Sequence, residues 1–288
     1  MLKLLIACIL LFTATIPGVQ AQGLYDDYKK MNFSSKVTGQ EYELFIAVPK
    51  SYKTKDTTTY PVLYVLDGNF MFPVMHTMQR LLSEIQEVQD IIVVGIGYHT
   101  SSILESTKFR TPDYTPTKDT AFERMLLDDI KMTVRTGEAN KFLKTLQQDI
   151  FPLIEKNYRT RDRGLAGHSF GGLFGSYVLL NQPQLFKKYL LSSISIPWDN
   201  QVLLKQEASF FQAGHKELNA QVFVSVGDQE TYMDMIPGMQ KFMASLKGRN
   251  YQGLSIEERI LPNETHASAF LTAFNQGLRV LYKNKRND

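Results

Sequence analysis

The chain has 288 residues, 43% of them hydrophobic and 21% charged, an ordinary globular composition with enough length for one large core. Its formal charge of +3 is the difference between 32 basic and 29 acidic residues spread along the sequence. No basic block is long enough to track phosphates, so nucleic acid is not an expected partner, and the lack of repeats or linker-like tracts argues for one domain.

The first 23 residues, MLKLLIACILLFTATIPGVQAQG, carry Lys3, an apolar stretch from Leu4 to Ile16, then Pro17, Gly18 and a small-residue pattern ending at Ala21. This order predicts a secretory signal peptide over 1–21, a mature chain of 22–288 and a periplasmic or secreted location. The apolar stretch falls short of the roughly 20 residues that span a bilayer, so no membrane anchor is expected after cleavage. Leu5-Ile6-Ala7-Cys8 has the form of a lipoprotein acylation site but lies too early in the apolar run. Cleavage would remove Cys8, the only cysteine, and with it disulfides and any thiol nucleophile.

Along the mature chain, 31–38 and 42–48 predict an antiparallel hairpin turning at Gly39. The almost wholly apolar runs 60–68 and 91–97 predict strands buried on both faces of a mainly parallel sheet, with a helix over 71–88 between them. A long polar loop follows over 99–136, and 139–158 shows helical spacing with a kink at Pro152. Then come a strand at 163–167, a helix at 170–181, strands at 188–195 and 220–227, a helix at 236–247, a strand at 253–261 and a last helix at 267–283. This alternation predicts an α/β fold with helices on both faces of the sheet and ligands bound beyond the carboxyl ends of its strands.

One strand-to-helix junction reads Gly167-His168-Ser169-Phe170-Gly171, a G-x-S-x-G match in the context that the motif requires. A sharp turn there would strain Ser169 and crowd positions 167 and 171, where glycine avoids collisions with neighbouring backbone. A serine nucleophile needs a histidine base, and the base needs a carboxylate to fix its tautomer. The expected chain order is serine, acid, histidine. Of the five histidines only His215 and His266 follow Ser169. His215 lies in a helix-to-strand connection, whereas His266 follows a strand and opens the last helix, which makes it the candidate base. The acid comes from Asp228 or Glu230 after the strand that ends at Gly227; Glu230 is favoured, and Asp228 has an alternative use as a turn cap. The oxyanion would be met by the backbone N–H groups of Phe170 and Asn69, with Gly68 permitting a close approach. Arg110 would either meet an anionic group of a substrate or, the preferred reading, pin its loop through Asp113. Trp198 would wall the cleft or pack in the core. His168 is expected to be a packed neighbour of the nucleophile. No His, Cys or carboxylate cluster has ligand spacing, so neither metal nor organic cofactor is expected.

From about residue 40 to 280 the chain resembles the "Putative esterase" family of α/β-hydrolases, which includes siderophore esterases, S-formylglutathione hydrolases, and feruloyl and acetyl-xylan esterases. PVLYVLDG, RTPDYTPT, FLKTLQQDIFPLIEKNYRT, AGHSFGGLFGSYVLL, SIPWDN and ETHAS fall in the family's order, nearest its siderophore-esterase branch. The family's Ser-Pro-Ser before the tryptophan is here Ser193-Ile194-Ser195-Ile196-Pro197-Trp198. The resemblance implies an α/β-hydrolase fold, Ser169 and His266 as nucleophile and base, and Glu230 or Asp228 as acid. It implies an exported serine esterase acting through an acyl-enzyme on a siderophore, a glycan-linked ester or a simple small-molecule ester. An acyltransferase with the same triad and a non-catalytic binding protein are the rivals, and the oligomeric state stays open.

Overall fold

The computed structural model describes residues 27–54 and 57–284; the predicted signal peptide lies outside them. Eight strands form one sheet: β1 (Tyr28–Ser34), β2 (Glu41–Ala47), β3 (Tyr60–Leu66), β4 (Ile92–Tyr98), β5 (Thr160–His168), β6 (Lys188–Ser192), β7 (Glu217–Gly227) and β8 (Gln252–Leu261). Their spatial order is β1-β2-β4-β3-β5-β6-β7-β8. β1 and β2 pair antiparallel, as does β2 with β4, and every pairing from β4 to β8 is parallel.

Why the central strands read as unbroken apolar runs is plain from the two cores. Along β3, Tyr60, Val62, Tyr64 and Leu66 point into one core while Leu63 and Val65 point into the other. Period-two alternation is present, but both faces are apolar because helices cover both. One face carries helices α1 (Gly68–Glu84) and α9 (His266–Leu281). The other carries α2 (Ile103–Tyr114), α4 (Ala139–Thr145), α5 (Phe151–Asn157), α6 (Phe170–Asn181), α7 (Trp198–Gln212) and α8 (Met235–Gly248). A further helix, α3 (Thr120–Ile130), has no fully buried residue and touches this face through Phe122.

Three elements differ from the sequence expectation. The supposed polar loop at 99–136 contains α2 and α3. Each has a side-chain cap: Ser102 Oγ accepts from the Glu105 N–H at 3.2 Å, and Asp119 Oδ1 from the Phe122 N–H at 2.9 Å. The distortion in 139–158 is a π-helical turn over Leu146–Ile150, which leaves Pro152 in the first turn of α5, where its missing N–H costs nothing. β6 stops at Ser192 rather than 195 because Ser193 turns left-handed at φ 49°.

Candidate active site at the carboxyl ends of the strands

Ser169 sits between β5 and α6 at φ 59°, ψ −116°, a conformation that few non-glycine residues adopt. Its surroundings hold it there: the Ser169 N–H donates to Ser192 O at 2.9 Å and its carbonyl accepts from Leu173 N–H at 3.0 Å. A Cβ on Gly167 would lie 2.4 Å from the Gly171 carbonyl oxygen, so that glycine is required by the turn. Gly171 is different. A Cβ there would meet nothing nearer than 3.5 Å, so only the first of the two motif glycines is a steric necessity.

Glu230, fully buried, presents Oε2 to His266 Nδ1 at 2.6 Å. Its other oxygen accepts from Ser193 Oγ at 2.6 Å and from the Gly227 N–H at 2.8 Å. Burial alone would push this carboxyl up, but the hydrogen bonds from His266, Ser193 and Gly227 outweigh it and hold it below the usual glutamate range. An ionised carboxylate only accepts, so Nδ1 of His266 is the donor in this hydrogen bond and Nε2 is the ring nitrogen left for the cleft. This histidine is placed by helix geometry. It is the first residue of α9, after a capping box in which Thr265 and Ser268 bond reciprocally.

Ser169 and His266 line the same cleft, about 280 Å³ in volume, whose walls include Phe70, Met71, Ile103, Thr107, Ala267 and Phe270. The Ser169 hydroxyl makes its one long contact with Ser195 Oγ, at 3.4 Å, rather than with His266. At the start of each adjoining helix, the N–H groups of Phe170 and Asn69 have no hydrogen-bond partner among the described residues.

A family profile described as "Putative esterase" matches residues 35–266. The chain belongs to that esterase family. It is 28% identical to the ferri-bacillibactin esterase BesA of Bacillus subtilis over 92% of this chain and 90% of that protein. It is 26% identical to the apo-salmochelin esterase of Escherichia coli O6:H1, over 91% and 81% of the two chains. Among solved structures, the BES protein from Bacillus cereus superposes with a TM-score of 0.79 at 30% identity, covering 91% of this chain and 98% of that one. The fold is that of the α/β-hydrolases.

The remaining candidates of this esterase-family chain fall partly within and partly outside the sequence expectation, the partner of Arg110 being the clear departure. Asp228 does not reach His266: its carboxylate accepts from the side chain of Gln229 at 3.0 Å. Arg110 pairs with Asp67 and not with Asp113, Nε to Oδ1 at 2.8 Å and Nη2 to Oδ2 at 2.9 Å, with Nη2 also 3.5 Å from the His168 carbonyl. Asp113 instead accepts from Tyr42, Tyr98 and Gln40. Trp198 is buried behind the cleft, edge-on to Phe122 and Phe170, its Nε1–H donating to Thr117 Oγ1 at 3.3 Å. Gly68 serves packing rather than substrate contact, since a Cβ would lie 2.6 Å from Ile96 N.

His168 is packed beside Ser169, its ring centroid 4.6 Å from that of His266 and its Nδ1 3.2 Å from Ser192 Oγ. Burial, reinforced by His266 and Arg110, holds its pKa well below the ordinary histidine value, so it stays neutral. His215 stacks on Phe210 with centroids 4.2 Å apart, between α7 and β7 and away from the cleft. Ser193 and Ser195 were missed as site residues because a serine at a strand end carries no distinguishing sequence signal. Among the described residues no group of three or more His, Cys, Asp or Glu side chains is arranged to hold a metal ion, and no helix is long and apolar enough to cross a membrane.

Proposed function

We propose that this chain is an exported serine esterase that opens siderophore esters through an acyl-enzyme. The observation that carries the proposal is the convergence on one cleft of a serine in a strained strand-to-helix turn and a histidine whose Nδ1 is engaged by a buried carboxylate. Ser169 Oγ attacks the ester carbonyl while His266 Nε2 takes its proton, and Glu230 stabilises the imidazolium that forms. The N–H groups of Phe170 and Asn69 receive the developing oxyanion. His266 then returns the proton to the departing alcohol, and a water molecule, activated by the same base, releases the acid. In this scheme the Ser169 hydroxyl rotates from Ser195 toward His266 when substrate enters.

Siderophore esters are proposed as substrates because the relatives above are named as esterases of ferri-bacillibactin and apo-salmochelin. Export rests on the pattern of residues 1–21. The test is twofold: a fluorophosphonate probe labels the wild type and not Ser169→Ala, and the mature protein hydrolyses a catecholate trilactone faster than aryl, feruloyl or acetyl-sugar esters. Equal labelling of both proteins would end the serine assignment, and a preference for sugar esters would end the substrate assignment.

A further inference from the structure

His168 lines the cleft beside Ser169 and His266 yet has no part in the scheme above. It is the last residue of β5, is buried, and lies opposite Ser192, the last residue of β6, in the parallel pairing of the two strands. Its Nδ1 meets the hydroxyl of that fully buried serine at 3.2 Å. The Ser192 carbonyl oxygen in turn accepts the Ser169 N–H at 2.9 Å, so the end of β6 anchors both the His168 ring and the turn that carries the nucleophile.

From that anchor the ring leans on His266. The two centroids are 4.6 Å apart with the planes at 44°, and His168 also hydrogen-bonds the His266 main chain. Phe270, one turn further along α9, packs against His168 with centroids 5.9 Å apart. The His168 ring is thus held between the strand ends on one side and the first turns of α9 on the other. The charged and titratable groups around the pair are Glu230 at His266 Nδ1, Arg110 at the His168 carbonyl, Asp67 paired with Arg110, and Tyr232 edge-on to His266 at 6.3 Å.

The hydrogen bond to Glu230 does not by itself set the tilt of the His266 ring. Such a bond keeps most of its strength over roughly 30°. A tilt of that size swings Nε2 by about 1 Å, a misplacement that can cost on the order of 10² in rate. A closely packed side chain removes the freedom. We propose that His168 is a positioning residue: its ring, anchored on Ser192, holds the His266 imidazole at the tilt from which Nε2 reaches Ser169. The role suits a histidine that burial keeps neutral, since a second cation 4.6 Å from the imidazolium formed during turnover would oppose it. It rests on the serine-esterase reading above.

Three measurements on the mature protein test the role together: steady-state hydrolysis of an aryl ester, the rate of fluorophosphonate labelling, and the low-field proton NMR signal of the His266–Glu230 hydrogen bond. In His168→Ala, kcat and the labelling rate should fall by the same factor, about ten- to a hundredfold, with KM unchanged, and the low-field signal should shift or broaden. His168→Phe restores a ring without charge and should recover kcat to within about threefold of wild type. Ser192→Ala frees the His168 ring while both catalytic side chains stay in place; it should lower kcat severalfold, and it decides the matter should His168→Ala fail to fold. Unchanged kcat in His168→Ala or in Ser192→Ala, or a His168→Phe as slow as His168→Ala, would overturn the role while the esterase reading stands. A wild type that neither labels nor hydrolyses any ester would overturn both.

Discussion

Ser193 Oγ donates to Glu230 Oε1 at 2.6 Å, on the carboxylate oxygen that faces away from His266. The left-handed turn at Ser193 that ends β6 is what brings the hydroxyl beneath the carboxylate, so the strand end and the acid are one arrangement. Replacing Glu230 with Gln would leave the shape intact but remove the charge that sustains the imidazolium, and kcat should fall on the order of 10³ to 10⁴. Ser193→Ala keeps the charge and loses one donor, so its kcat should fall only about tenfold. Steady-state hydrolysis of an aryl ester, with circular dichroism to verify folding, distinguishes the two.

Asp113 is a buried carboxyl with three donors, Tyr42, Tyr98 and Gln40, and no cation. Burial raises its pKa from 3.8 to about 7, against the opposing effect of those hydrogen bonds. The folded protein therefore holds a proton that the unfolded chain has already released, and this group's contribution to stability is present below about pH 4 and lost as pH rises to about 7. Asp113→Asn removes the slope. Unfolding free energies from urea titrations across that window should converge with or exceed those of wild type at the alkaline end, by at most roughly 4 kcal/mol.

The Arg110–Asp67 pair ties α2 to the turn that precedes Asn69, and the Arg110 contact with the His168 carbonyl ties it to the turn at Ser169. Arg110→Met would strand a carboxylate with little access to water, at a cost of about 3–5 kcal/mol. In Asp67→Asn/Arg110→Met the stranded charge is gone, and much of that loss should return. Thermal melts of the two variants measure the recovery, and the double-mutant cycle with Asp67→Asn gives the coupling.

The two motif glycines should behave unequally. Gly167→Ala drives a methyl into the Gly171 carbonyl and should cost about 1–3 kcal/mol or abolish folding, with loss of activity. Gly171→Ala meets only ordinary contacts inside a helix and should be neutral to mildly stabilising, on the order of 1 kcal/mol at most. Soluble yield, melting temperature and probe labelling report the contrast.

The central strands were legible because burial on both faces leaves an unmistakable apolar run, and the order serine, acid, histidine was legible because each candidate lies just beyond the carboxyl end of a strand. α2 and α3 were not. α2 contains Pro112 and a polar run from Glu105 to Lys108, while α3 leaves Met125, Leu127 and Ile130 exposed, so neither announces a buried face. Arg110 had Asp113 three residues away, and local spacing favoured that partner. The true one is 43 residues distant in sequence and is reached only because α2 folds over the end of β3. Trp198 was ambiguous for a related reason: a lone aromatic at a strand end looks the same whether it faces a ligand or, as here, two phenylalanines.

His266 opens the final helix of the described chain, nearly a hundred residues after Ser169 and beyond three more strands of the sheet. The serine and the histidine of the cleft are therefore supplied by regions that a ribosome makes well apart in time. On the proposed mechanism, a polypeptide that stops short of α9 would carry the Ser169 hydroxyl without the imidazole that deprotonates it, and such a fragment would be inert toward esters.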